Sequence, residues 1–320
     1  MQIYPWLKPV WKKLKANLER QHIPGALLIQ AKQGLAPEAL INSYVSGLMC
    51  QNDASEPCGF CHSCDLLKSE SHPDVHFLLP EKDKKHLSVD QIRGANKWAL
   101  ESSQFGRYRV IVIPTADRMN TSAANALLKT LEEPPSHCLF LLSTENTKLL
   151  LPTIRSRCEV WHVPQPSEQV CLDWVNQTLE QSISPRIAYL CQFEPVTTLE
   201  FVEKGWDTDF HGLVEAFSQF MNSDGLETGE LWTLITKSSA DIDRQLSWLW
   251  MLLSAAQKQA LGINMQPLLP ESEMLTQRYG YELLFRQTQA LQELSEQLRS
   301  AGGLNTELLF TNWLYGFDPA

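Results

Sequence analysis

Ala123-Ala124-Asn125-Ala126-Leu127-Leu128-Lys129-Thr130-Leu131-Glu132-Glu133-Pro134-Pro135, with Thr153-Ile154-Arg155-Ser156-Arg157-Cys158 further along, is the stretch from which the rest of the chain can be read. Ala123 to Glu133 consists of strong helix formers and meets two prolines, which cannot continue a helix. Cys138 to Leu142 is then an apolar, β-rich run. The polar Ser143-Thr144-Glu145-Asn146 behind it suits an inner strand of a parallel sheet, with a functional loop at its carboxyl end. Arg155 and Arg157 follow in a helical or looped segment. An arginine held at a subunit edge can reach a phosphate bound by a neighbour, and its planar fork then stabilises charge developing on a transferred phosphoryl group.

Outward from this stretch, Gly25 to Gln30, Val75 to Leu79 and Val110 to Ile113 are short β-rich runs, and Val89 to Ser102 is helix-like. Trp6 to Arg20 reads as an amphipathic opening helix. Strands and helices that alternate in this way build a parallel α/β sheet. Val163-Pro164-Gln165-Pro166 interrupts the alternation. From there to Trp206 the periodicity is helical, and beyond Asp207 long apolar-periodic segments (Leu231 to Ile235, Leu246 to Leu261, Tyr281 to Arg299) carry no strand signal. The expected organisation is an α/β domain over 1–163 with a cysteine module at 50–64, a small helical domain over 164–206, and a helical domain over 207–320. Trp248 and Trp250 read as core or interface residues of that last domain rather than as ligands of a cofactor.

A net charge of -10 and a pI near 5.3 argue against a protein that holds DNA by its own field. Lys12-Lys13-Lys15 and Arg107-Arg109 are the tight basic groups of the first half, and each reads as a solvated face before it reads as a nucleic-acid contact. The apolar run Leu246 to Ala256 is too short to span a bilayer. The start, Met1-Gln2-Ile3-Tyr4-Pro5-Trp6, reaches Lys12-Lys13 without the apolar core of a signal peptide, so the expectation is a cytoplasmic protein with no membrane partner.

Cys50, Cys58, Cys61 and Cys64 have the spacing C-x7-C-x2-C-x2-C. Thiols this close in a chain of cytoplasmic character favour a metal over disulfides, and four thiolates can close around Zn²⁺ with no open position, which makes the site structural. Gly59 allows the tight turn between them. His62 or His72 in place of Cys50 is the competing ligand set. Cys138, Cys158, Cys171 and Cys191 have no such grouping and read as buried free thiols.

The Ala123 to Pro135 run, the triplet Ser156-Arg157-Cys158 and the opening Tyr4-Pro5-Trp6-Leu7 together resemble bacterial clamp-loader subunits of the AAA+ class. That resemblance is strongest up to Cys158 and implies an AAA+ type sheet domain with a four-cysteine zinc module, a helical lid and an all-α collar that ends in Leu304 to Phe310. It also implies that the triplet carries an arginine finger, here Arg157 supported by Ser156 and Cys158, with Arg155 as runner-up.

A phosphate loop reads G-x-x-x-x-G-K-[ST]. Laid on the strand exit, Ala31 and Ala36 replace its glycines, Gly34 falls between them, and Pro37 and Glu38 replace the lysine and the hydroxyl. Pro37 removes a cation and an N–H donor, and Glu38 adds a carboxylate where phosphate or Mg²⁺ would sit. ATP-binding relatives place Asp-Glu after the third strand run; here stand Pro114 and Thr115. The resemblance therefore implies an accessory subunit of a DNA polymerase holoenzyme without ATPase of its own. It would sit in a five-membered ring with delta and gamma or tau subunits and load a sliding clamp on primed DNA. An ATP-binding motor subunit of the gamma/tau type is the alternative reading, and a free-standing zinc-dependent DNA-binding protein is a further rival.

Overall fold

The computed structural model describes residues 3–52, 55–82, 84, 86–222, 228–263, 268–300 and 304–317; the outer ends of the expected first and last domains and residues 53–54 of the cysteine module lie outside the described residues. The chain forms two compact units, Met1–Pro166 and Ser167–Ala320.

The first unit carries five strands, β1 (Ala26–Gln30), β2 (Val75–Phe77), β3 (Arg109–Ile113), β4 (Cys138–Thr144) and β5 (Glu159–His162). They pair in the order β2-β3-β4-β1-β5, every pair parallel, with Leu28 of β1 opposite Leu142 of β4 and Val160 of β5. Every residue of β3 and β4 is buried, as central parallel strands covered on both faces must be. Nothing in the sequence reading anticipates β5. Its four residues alternate between half-buried and exposed at the sheet edge, so they lack the apolar run by which inner strands announce themselves.

The helices of this unit are α1 (Lys8–Glu19), α2 (Pro37–Met49), α3 (His62–Lys68), α4 (Val89–Leu100), α5 (Thr121–Glu132) and α6 (Pro152–Arg155). α4 opens on a capping box in which Ser88 and Gln91 satisfy each other's backbone N–H groups. α5 starts two residues ahead of the expected Ala123, because Asn120 accepts the Ala123 N–H at 2.8 Å and caps it. Apolar residues of α4 and α5 meet Leu28, Ile111 and Phe140 of the sheet in one core. Gly25 leads into β1, and its carbonyl accepts the Phe140 N–H at 2.9 Å. A Cβ at Gly25 would lie 2.6 Å from Cβ of Pro134, so the double proline behind α5 packs on the sheet only over a glycine.

Among its described residues the second unit is helical: α7 (Glu168–Leu179), α8 (Pro185–Leu190), α9 (Pro195–Glu203), α10 (Asp207–Asn222), α11 (Thr228–Lys237), α12 (Ile242–Ala260), α13 (Glu273–Arg278), α14 (Tyr281–Ser300) and α15 (Thr306–Tyr315). Trp248 of α12 sits at the centre of its core, edge-on to Phe201, Trp206 and Phe210, and Trp250 packs at the margin. Both tryptophans are thus accounted for by packing. Cys171, Val175, Ile183 and Ala188 form a separate small cluster under α7 and α8. No helix of the described residues is long and apolar enough to cross a membrane.

Candidate phosphate-loop remnant, arginine turn and metal centre

The exit of β1 carries the stretch expected to be an altered phosphate loop. After Gln30 the chain makes a 3-10 turn over Gln33–Leu35, passes through Ala36 in the left-handed region (φ +54°), and enters α2 at Pro37. A working loop of this kind points its N–H groups at phosphate. Here the Ala31 N–H donates to the Thr144 carbonyl, Leu35 to Lys32 and Ala36 to Gln33, while Gln33 donates to the Glu145 carboxylate at 3.1 Å; Pro37 has no N–H to offer. The Trp6 indole closes the loop from outside by donating to the Leu35 carbonyl at 2.8 Å. Ala31, Gly34, Ala36 and Pro37 are buried, and Glu38 is exposed on the first turn of α2. Four of the loop's N–H groups are thus committed within the chain, which the residue types alone do not reveal. Behind β3, Pro114 accepts a hydrogen bond from the Ser143 hydroxyl, and the buried Thr115 hydroxyl has no partner.

The arginine turn follows β4. Asn146 caps the turn over Thr147–Leu149, and the fully buried Ile154 anchors α6 in the sheet core. This leaves Arg155 and Ser156 exposed and Arg157 half-buried. Arg157 Nη1 donates to the Thr153 carbonyl at 2.8 Å, and Nη2 pairs with the carboxylate of Glu132 at the end of α5. Burial pushes the Cys158 thiol up to about 12, so it is a protonated packing group rather than a nucleophile.

Cys50, Cys58, Cys61 and Cys64 converge, their sulfurs all within 4.8 Å of one another. Four sulfurs on a Zn²⁺ with bonds of about 2.3 Å stand about 3.8 Å apart, so this gathering needs only slight contraction to close on a tetrahedral ion. The donor set and its geometry fit such a metal. Cys50 caps the end of α2, Cys61 precedes α3, and Gly59 turns the chain between them at φ +78°. Hydrogen bonds from backbone N–H groups, that of Phe60 foremost, hold the Cys58 thiol below its ordinary range, whereas burial pushes the Cys64 thiol up to about 12, so a metal would have to displace its proton. His72 is committed elsewhere. Its Nδ1 accepts the Asp74 N–H at 3.1 Å and its Nε2 lies 2.9 Å from the Ser63 hydroxyl, which itself donates to the Met49 carbonyl, so the ring is a neutral Nε2–H donor. Burial holds its pKa down. His62 is exposed.

One buried group escaped the sequence reading altogether. Asp74 is fully buried; its carboxylate accepts the Ser103 hydroxyl and the N–H groups of Gln104 and Phe105 at 2.9–3.0 Å and stands 3.6 Å from Arg109. Of the Arg107-Arg109 group, Arg109 is therefore an internal residue and not a solvated face. Arg109 is 4% exposed, and Arg107 donates to the carbonyls of Leu48 and Gln51 beside the cysteines.

Residues 6–167 match the family model described as DNA polymerase III, delta subunit, and residues 208–318 match the model of its C-terminal part. The DNA polymerase III subunit delta' of Escherichia coli is 33% identical over 98% of this chain and 95% of its own length, and that of Haemophilus influenzae is 30% identical over 98% and 96%. Among solved structures, a DNA polymerase III gamma subunit-related protein from Thermotoga maritima covers 95% of this chain and 97% of its own, at 18% identity and a TM-score of 0.44. The parallel sheet unit and the helical unit that follows it in sequence are matched by these two models and place the chain among DNA polymerase III subunits. Within that class, the chain belongs to the subunit delta' family.

Proposed function

We propose that the chain is a stator of the sliding-clamp loader: it binds no ATP, and lends Arg157 to the ATP site of a neighbouring subunit. The observation that carries this reading is the contrast between the two loops of the first unit. One has the N–H groups of Ala31, Gln33, Leu35 and Ala36 bonded within the chain and a proline where the cation belongs, and the other presents a guanidinium at the surface. In this reading delta and gamma or tau subunits complete the ring. Residues 207–320 are its collar, 164–206 its lid, and the ring loads the clamp on primed DNA in the cytoplasm. Cys50, Cys58, Cys61 and Cys64 hold a structural Zn²⁺, which ties the end of α2 to α3 and takes no part in chemistry.

Two measurements test the reading. A ligand that binds only the folded state must stabilise it, so millimolar ATP with Mg²⁺ should leave the melting temperature of the isolated chain unchanged; a saturable rise would identify a motor subunit of the gamma/tau type instead. Arg157→Ala should leave the chain folded and the ring assembled while DNA-stimulated ATPase and clamp loading fall. Arginines supplied in trans contribute about 10³ to 10⁵ in the best-studied phosphoryl-transfer cases, and damage confined to one of several sites should register as less. Arg157→Lys should not restore the rate fully, because a point charge lacks the planar fork. Equal rates for wild type and Arg157→Ala at equal ring occupancy would reduce Arg157 to a structural residue.

A further inference from the structure

We propose that Glu132 is the positioning residue for Arg157, so that the Glu-Glu-Pro-Pro sequence ending α5 is part of the arginine device and not only a helix stop. The inference rests on the proposed function above. Arg157 is gripped at two points that belong to different elements: Nη1 by the Thr153 carbonyl of its own turn, and Nη2 by the Glu132 carboxylate. Two acceptors fix the plane of a guanidinium, whereas one leaves it free to swing. The group has five N–H donors in a rigid fork, so donors remain for a phosphate arriving from a neighbour.

The placement of Glu132 is itself determined. It is the last residue of α5, whose Ala124, Leu127 and Leu131 are buried against the sheet, and Pro134 just behind it packs on Gly25 at the start of β1. The carboxylate is thus referred to the sheet, and through it the guanidinium is too. The side chains of Arg157 and Glu132 are 30% and 48% exposed. An ion pair that open contributes little to folding, so its main consequence is where the fork points.

Orientation is worth much in such a device, since a displacement of ~1 Å can slow a reaction by about 10²-fold. The experiment uses the reconstituted complex at equal ring occupancy and compares wild type, Glu132→Ala, Glu132→Gln, Arg157→Ala and the Glu132→Ala/Arg157→Ala double variant. The readouts are DNA-stimulated kcat and KM for ATP. Glu132→Ala should lower kcat with KM unchanged. Glu132→Gln, which keeps an acceptor oxygen, should recover most of the loss. The double variant should be no slower than Arg157→Ala, because Glu132 acts only through that arginine. A wild-type kcat for Glu132→Ala beside a slow Arg157→Ala overturns the role of Glu132 and leaves the finger intact. A double variant slower than Arg157→Ala also overturns it, by showing that Glu132 acts elsewhere. If Arg157→Ala itself matches wild type, the finger and its positioning residue fall together.

Discussion

Gly25 is the residue on which the packing of the helix stop behind α5 depends, because Pro134 lies directly over it. A methyl group there must displace the Pro134 ring or the start of β1. Overpacking of this sort destabilises by about 1–3 kcal/mol, so Gly25→Ala should lower the melting temperature while leaving zinc content unchanged. A melting temperature equal to wild type would mean that the proline yields at no cost. At this scale the sequence was uneven in what it disclosed. Pro37 and Ala36 mark the loop as departing from the phosphate-loop motif by residue type alone, since the motif has a lysine and a glycine there. Glu132 and Asp74 are silent, because a carboxylate in a helix tail or a loop reads the same whether it faces solvent or a buried arginine.

Among the elements, the link between the cysteine module and the sheet runs through hydrogen bonds that no spacing rule reveals. Ser63 of α3 reaches His72, the Asp74 N–H reaches the same ring, and the Asp74 carboxylate holds the loop before β3 and faces Arg109. The four cysteines were legible because metal chemistry fixes both type and spacing; the web that anchors them was not, because its members are distant in sequence. Elemental analysis should find one Zn²⁺ per chain, and Cys61→Ser with Cys64→Ser should remove it while the sheet stays folded. Unchanged zinc in that variant would dismiss the site. Asp74 gives a second test. Although burial opposes ionisation, the N–H groups of Gln104 and Phe105, the Ser103 hydroxyl and Arg109 together hold its carboxyl below the ordinary 3.8. A depressed carboxyl contributes stability above its unfolded pKa and loses it as pH falls through the folded one. Asp74→Asn leaves Arg109 its partners Glu101 at 3.3 Å and the Ser102 carbonyl, but puts an amide where the Ser103, Gln104 and Phe105 donors converge, and should destabilise by about 1–3 kcal/mol near neutrality. The gap to wild type should narrow below pH 3.8, and a gap independent of pH would mean that the ionised form is not what matters.

For the whole molecule, alternating strand and helix signals made the α/β unit readable, and long apolar periods made the second unit helical, while β5 stayed hidden as a short edge strand. The two compact units meet in sequence at Pro166 and Ser167, beside the exposed Pro164 and Gln165. Each has its own core: Leu28, Ile111 and Phe140 in the first, Trp206, Phe217 and Trp248 in the second. An exposed segment between separate cores is where proteases cut and where a chain can be divided. Met1–Pro166 holds the five strands of the described residues, the four cysteines of the module, the arginine turn and Glu132. Expressed alone, it should fold cooperatively and carry zinc. If the helical unit is the collar, this fragment should nonetheless fail to enter a complex with delta and gamma or tau subunits, even though it carries Arg157. Weighing the mixture would decide the matter. A fragment that assembles as well as the full chain would place the ring-forming surface in the α/β unit, and a fragment that does not fold would show that the first core needs the second.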